Sequence, residues 1–96
     1  MSLEEMRNKI DTVDEKIVKL IAQRIKQSQA IGDEKQKINK PIEDANREKK
    51  VLAHIEALAR EENLDEKEIL GIYRQIIKSS KVVQGLVLVW LYHKMR

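Results

Sequence analysis

The sequence predicts an all-α protein of three helices, of which the first is very long. Apolar residues recur at heptad spacing from Leu3 to Ile38, as they do along the seam of a coiled coil. Two later segments, opening at Asp44 and Asp65, each combine a capping residue with apolar side chains at helical spacing. No segment before residue 85 has the alternation of apolar and polar residues that is typical of a strand.

Size and composition indicate a single domain spanning residues 1–96. The 19 basic and 16 acidic side chains leave a net charge of +3. The signs are interleaved, and only Tyr73, Trp90 and Tyr92 could stack on bases, so no nucleic-acid partner is expected. Cysteine is absent, which excludes disulfides and thiolate metal sites. No Arg- or Lys-headed apolar run opens the chain, so we expect a cytoplasmic protein without a signal peptide.

The first helix is predicted over Met6 to Ile38, with Gly32 as its only weak point. Two sets of heptad positions form a stripe along this helix, which we call the heptad seam. The first set is Leu3, Ile10, Ile17, Arg24, Ile31 and Ile38, and the second set is Met6, Val13, Leu20 and Gln27. A helix continuous from Leu3 would be about 54 Å long. A compact chain of this size has a radius of gyration of about 13 Å, so we expect a second copy of the chain to cover the overhang.

Arg24 interrupts the heptad seam where an isoleucine would be expected. An unpaired guanidinium in such a seam is costly, so a negative group should meet it. Lys35 lies about 16 Å further along the helix and only about 20° off the same face, and the two cations could bracket a small anion. In a purely structural alternative, Arg24 would instead pair with Asp14 of either chain.

Two breaks separate the three helices. The first is Asn39-Lys40-Pro41, because a residue before proline is pushed out of the helical region. Asp44 then caps a second helix whose apolar face is Val51, Leu52, Ile55, Leu58 and Ala59. After the break at Glu62-Asn63-Leu64, Asp65 and Glu68 form a capping box. The apolar face of the third helix is Ile69, Ile72, Tyr73, Ile76 and Ile77.

The tail over residues 85–96 contains an apolar run from Leu86 to Tyr92. This run is far too short to span a membrane, and a lone strand would have nothing to pair with. We expect the tail to extend the third helix and pack, while docking of another protein on it is the alternative.

Five short motifs lie in order along the predicted helices: MRNKID at 6–11, LIAQR at 20–24, IGDEK at 31–35, PIEDANRE at 41–48 and SKVVQ at 80–84. In this order and spacing they resemble the all-helical class of chorismate mutases, over about residues 5 to 84. The resemblance implies an intertwined helical homodimer without a cofactor. It also implies conversion of chorismate to prephenate, on the path to phenylalanine and tyrosine.

That reaction is a unimolecular rearrangement, and an enzyme for it needs no nucleophile, metal or general base. It must hold a flexible dianion in its reactive conformer and stabilise the charge that builds on the ether oxygen. By resemblance, Arg24 and Arg47 pair with substrate carboxylates, a task that suits the planar guanidinium. Lys35 and Gln84 would donate to the ether oxygen.

The resemblance implies further roles for three polar residues. Glu48, with the backbone near Asp44, would hold the ring hydroxyl, and Ser80 would assist at a carboxylate. Taken alone, Arg47 and Glu48 could be surface charges at a helix start, and Ser80 and Gln84 could be a solvated patch on one helix.

The same resemblance makes Arg7 a substrate ligand. Arg7 precedes Arg24 by 17 residues, which is about 26 Å along the helix and about 100° around it. One small molecule cannot touch both within one chain, so Arg7 would come from the partner subunit.

Two other functions stay open. A relative on the same fold removes pyruvate from isochorismate, and similar cations would serve that reaction. A non-enzymatic helical dimerisation module would explain the heptad seam but leaves Arg24, Lys35 and Gln84 without a role. The chain has no room for the dehydratase, dehydrogenase or synthase domains to which family members are sometimes fused, although it could be one domain excised from such a protein.

Overall fold

The computed structural model describes residues 1–41 and 44–95, with side chains described as far as residue 84. Three helices follow one another: α1 (Leu3–Lys37), α2 (Ala45–Glu61) and α3 (Glu66–Met95). The described residues contain no strand, so the predicted all-α class with three helices is confirmed. No helix in the described part of the chain is long and apolar enough to cross a bilayer.

α3 continues through the apolar tail to Met95. The two roles considered for this segment, packing and docking, depend on side chains that lie outside the described residues.

α1 is one uninterrupted helix of 35 residues, or about 52 Å at the usual rise. Ser2 caps it by accepting a hydrogen bond of 3.1 Å from an amide of the first turn. At the other end Asn39 has a φ of 55°, and the amide of Lys40 donates to the carbonyl of Lys35 at 2.8 Å. This is a Schellman motif. The left-handed asparagine therefore ends α1 before Pro41 is reached.

Side-chain caps fix the starts of the other two helices. The Asp44 carboxylate accepts from the amide of Arg47 at 3.0 Å, and the Asp65 carboxylate accepts from the amide of Glu68 at 3.0 Å. Between them Asn63, with a φ of 57°, ends α2 as Asn39 ends α1. Both caps predicted from the sequence are confirmed. The Asp44 cap fixes the start of α2 and thereby the position from which the Arg47 side chain projects.

A single chain has a thin core. α3 packs against both α1 and α2, but Ile55 and Ala59 are the only buried hydrophobic residues among the described side chains. The chain measures 58 × 28 × 17 Å and has a radius of gyration of 17.2 Å, against about 13 Å for a compact domain of this size. One chain therefore leaves much of its apolar surface in contact with water.

Most of that exposed apolar surface belongs to the heptad seam. Ile10 is 60% exposed and Leu20 is 61% exposed. The other strongly exposed apolar residues of the seam are Leu3, Met6, Val13, Ile17, Ile31 and Ile38. Soluble monomers rarely present a contiguous apolar stripe of this length.

Candidate active site

A cavity of about 270 Å³ opens between the three helices. Its lining includes all the predicted site residues except Arg7, namely Arg24, Lys35, Asp44, Arg47, Glu48, Ser80 and Gln84. Two side-chain hydrogen bonds across the cavity join residues 56 and 49 positions apart in the chain. The fold thus brings residues of four of the five motifs to one place.

Arg24 reaches the cavity from α1 and is held there by α3. Its Nη1 donates to Ser80 Oγ at 2.5 Å, and its guanidinium carbon lies 5.5 Å from the centroid of the Tyr73 ring, which is within cation–π range. Ser80 is buried and donates in turn to the carbonyl of Ile76 at 2.9 Å. Neither partner carries a negative charge, so these contacts orient the guanidinium without neutralising it.

Lys35 and Gln84 meet at another point of the cavity, also across α1 and α3. Lys35 Nζ donates to Gln84 Oε1 at 3.4 Å, and both side chains are half-buried. Because the amide oxygen faces the lysine, the amide NH₂ is the group of Gln84 that can donate to a ligand. The pair therefore offers an ammonium and an amide donor side by side.

The start of α2 supplies the acidic part of the lining. Arg47 is exposed at the rim, directly after the Asp44 cap. Glu48 is half-buried and forms an ion pair with Lys81 of α3.

Lys81 lines the same cavity and was missed by the sequence analysis. It stands beside Ser80 in the SKVVQ motif, but the resemblance gave it no role.

The cavity carries an excess of positive charge. Four cationic side chains line it, those of Arg24, Lys35, Arg47 and Lys81, together with the two carboxylates of Asp44 and Glu48. The formal excess is two positive charges, which suits a small dianion. Among the described residues, no group of three or more His, Asp or Glu side chains could hold a metal ion.

Arg7 does not line the cavity of its own chain. It lies near the start of α1, about 26 Å before Arg24 at the usual helical rise. Arg24 also lines a second, apolar groove of about 590 Å³ between α1 and α3, whose walls include Ile17, Leu20, Ile72 and Ile76. This groove shares Arg24 with the cavity and shares Ile17 and Leu20 with the exposed heptad seam.

Comparison with known proteins gives concordant matches over most of the chain. A family model described as chorismate mutase type II matches residues 6–85. The chorismate mutase of Methanocaldococcus jannaschii is 38% identical over 82 residues, which cover 85% of this chain and 83% of that protein. The bifunctional chorismate mutase/prephenate dehydratase of Escherichia coli is 30% identical over 83 residues, which cover 86% of this chain but 22% of that protein. Among solved structures, a conserved hypothetical protein from Pyrococcus furiosus has a TM-score of 0.66 at 33% identity, covering 85% of this chain and 93% of that one.

Proposed function

Because the chain belongs to the type II chorismate mutase family, we propose that its interhelical cavity is where chorismate rearranges to prephenate. The function is that of a chorismate mutase, an isomerase of aromatic amino acid biosynthesis. One observation carries the assignment to this cavity: side chains from all three helices converge on it with an excess of two positive charges. Chorismate is a dianion, so this charge balance matches the substrate.

Arg24 and Arg47 bind the substrate carboxylates in this proposal. Arg24 is already oriented by Ser80 and Tyr73, so little side-chain entropy is lost when a carboxylate arrives. Arg47 approaches from the exposed rim and closes over the second carboxylate. Two guanidinium contacts at the ends of a flexible substrate favour the folded conformer in which the reacting carbons are close.

Lys35 and Gln84 stabilise the transition state. Negative charge develops on the ether oxygen as its bond to carbon breaks, and preorganised donors lower the barrier most where charge develops. The Lys35 ammonium and the Gln84 NH₂ are already adjacent, held by the bond between Nζ and Oε1. Neither group has to move a proton, because the reaction transfers none.

Glu48 holds the ring hydroxyl, with the backbone near Asp44 assisting, and Ser80 supports carboxylate binding beside Arg24. The ion pair with Lys81 restrains the rotamer of Glu48 before substrate arrives. An acceptor fixed in advance distinguishes a substrate that carries the hydroxyl at the right position from one that does not.

We further propose an intertwined homodimer in which Arg7 of one chain completes the cavity of the other. The exposed heptad seam and the apolar groove beside Arg24 support this assembly, since a second α1 would cover both. The distance of Arg7 from its own cavity supports it as well. The single domain over 1–96 and the cytoplasmic location remain predictions from the sequence.

The direct test follows the loss of chorismate absorbance on adding purified protein, with the product identified as prephenate. Isochorismate is assayed in parallel, and release of pyruvate from it would indicate the lyase of the same fold instead. If neither substrate is converted by a folded protein, the chain is a helical dimerisation module and the proposal is wrong.

A further inference from the structure

Gly32 lies where α1 and α3 come very close together. The residue is buried, and a Cβ added to it would stand 3.0 Å from Gln84 Cα and 3.1 Å from Gln84 Cβ and Cγ. Ordinary contact begins at 3.4 Å. The nearest obstructing atom belongs to the backbone of α3, so a side-chain rotation cannot make room for the Cβ.

The backbone conformation does not explain this glycine. No glycine among the described residues has a positive φ, and α1 runs through Gly32 without interruption. Within a helix, glycine is less favourable than alanine because it gives up more backbone entropy on folding. The close approach to Gln84 is therefore the property that needs a residue without a side chain.

Gly32 also stands one helical turn before Lys35, on the same side of α1. The bond between Lys35 Nζ and Gln84 Oε1 is 3.4 Å long, near the limit for a hydrogen bond. A Cβ at residue 32 must push the two helices apart by about 0.4 Å locally, which is the difference between 3.0 Å and ordinary contact. That displacement would separate Lys35 from Gln84.

We propose that Gly32 is a positioning residue: by lacking a side chain, it sets the separation at which Lys35 and Gln84 can act on one substrate atom. The proposal rests on the proposed function of this pair at the ether oxygen. Arg24 lies eight residues earlier in α1, about 12 Å away along the helix, so a displacement at residue 32 should act on Arg24 less than on Lys35.

Gly71 is the matched control. It is a helical glycine too, in α3, and apart from its chain neighbours and the nearby backbone of its own helix, no atom lies within 4 Å of the position that a Cβ would take. Alanine there makes the same change in helix propensity without the collision.

The experiment compares kcat and KM of the wild type, Gly32→Ala and Gly71→Ala. We expect Gly32→Ala to lower kcat at least about tenfold, because sub-ångström to ångström misplacement of catalytic groups costs up to about a hundredfold. KM should change less than about threefold, since the carboxylate contacts persist. Gly71→Ala should leave kcat within about twofold and raise the melting temperature by a few degrees.

A double-mutant cycle separates positioning from a general structural effect. In the Gln84→Ala background, adding Gly32→Ala should lower kcat by no more than about threefold further, because the Gln84 amide, whose separation from Lys35 it would change, is already absent. An equal loss in both backgrounds would overturn the proposal. So would wild-type kcat in Gly32→Ala, or loss of its helical circular dichroism, since the role would then be absent or purely structural.

A measurement without substrate keeps this inference distinct from the proposed function. The side-chain amide signals of Gln84, identified in a ¹⁵N-correlated NMR spectrum by their loss in Gln84→Ala, should shift in Gly32→Ala and stay in place in Gly71→Ala. Unmoved signals in Gly32→Ala would overturn the positioning role. A wild type that is inactive on chorismate would instead overturn the proposed function, and the NMR result would still decide the role of Gly32.

Discussion

Replacement of Arg24 by alanine is the sharpest single perturbation of the proposed site. The side chain is held toward the cavity by Ser80 and by the ring of Tyr73, so in the proposed site its guanidinium would meet a substrate carboxylate without rearrangement. Removing one partner of a hydrogen-bonded charge pair typically costs about 2–5 kcal/mol. At 1.36 kcal/mol for each factor of ten, kcat/KM should fall by between about thirtyfold and a few thousandfold.

Folding should change little in the same variant. The lost cation–π contact is worth about 0.5–1 kcal/mol and the lost hydrogen bond about 1 kcal/mol. Ser80 Oγ keeps its bond to the carbonyl of Ile76, so no buried hydroxyl is left without a partner. Removing a cation from an apolar seam offsets part of the loss. We expect the free energy of unfolding to change by less than about 2 kcal/mol.

The assay is the continuous loss of chorismate absorbance, with thermal melting and light scattering on the same samples. Arg24→Lys is the control, because it keeps the charge but not the planar pair of donors, and its activity should lie between those of the wild type and Arg24→Ala. If a folded Arg24→Ala keeps more than about a tenth of wild-type kcat/KM, the role assigned to Arg24 is wrong.

Variants at three further positions test other parts of the account. Gln84→Glu should be active only in acid, because the introduced carboxyl donates to the ether oxygen only when it is protonated. At pH values above the pKa of that carboxyl, the kcat of the variant should rise by up to about tenfold for each unit by which the pH is lowered. Lys81→Met should raise KM by up to about fivefold through loss of the half-exposed ion pair with Glu48, and Lys81→Arg should restore it. The hydrogen bond from Arg60 lowers the pKa of Glu66 below 4.5. The ionised Glu66 carboxylate therefore contributes its full stabilisation at neutral pH, and this contribution is lost as the pH falls below 4.5. The melting temperature of Glu66→Gln should therefore decrease less between pH 6 and pH 3 than that of the wild type.

Each of these variants has an outcome that contradicts its premise. A flat profile of Gln84→Glu between pH 5 and pH 8 would remove Gln84 from the ether oxygen. An unchanged KM in Lys81→Met would make its ion pair a surface contact without a role in binding. If the melting temperatures of the wild type and Glu66→Gln decrease equally in acid, the ionised Glu66 does not stabilise the fold.

Local signals made most of the fold predictable. The heptad seam, the caps at Asp44 and Asp65 and the break at Asn63 all depend on residues within a few positions of one another. The end of α1 was also predicted, although the sequence analysis assigned it to Pro41, whereas Asn39 in the left-handed region ends the helix first.

The contacts across helices could not be predicted in the same way. Gly32 faces Gln84, and Lys81 pairs with Glu48. Both contacts depend on how far each helix is rotated and shifted against its neighbour. Periodicity fixes the face of a helix but not this relative register. The resemblance named a set of site residues, but it did not show that Arg24 would be oriented by a hydroxyl and an aromatic ring.

The shared cavity is the central claim, and exchange of chains between two inactive variants tests it most directly. Homodimers of Arg7→Ala and of Arg24→Ala should each be nearly inactive, because every cavity lacks one arginine. In a mixed dimer one cavity carries both lesions and the other carries neither.

The decisive measurement is therefore the activity of an equimolar mixture of Arg7→Ala and Arg24→Ala after unfolding and refolding together. Random reassortment makes about half of the dimers mixed, each with one intact cavity, so about a quarter of wild-type activity should return. Light scattering should report a dimer before and after. A refolded mixture that is dimeric but no more active than its parents would contradict the account, because Arg7 would then serve the cavity of its own chain or none.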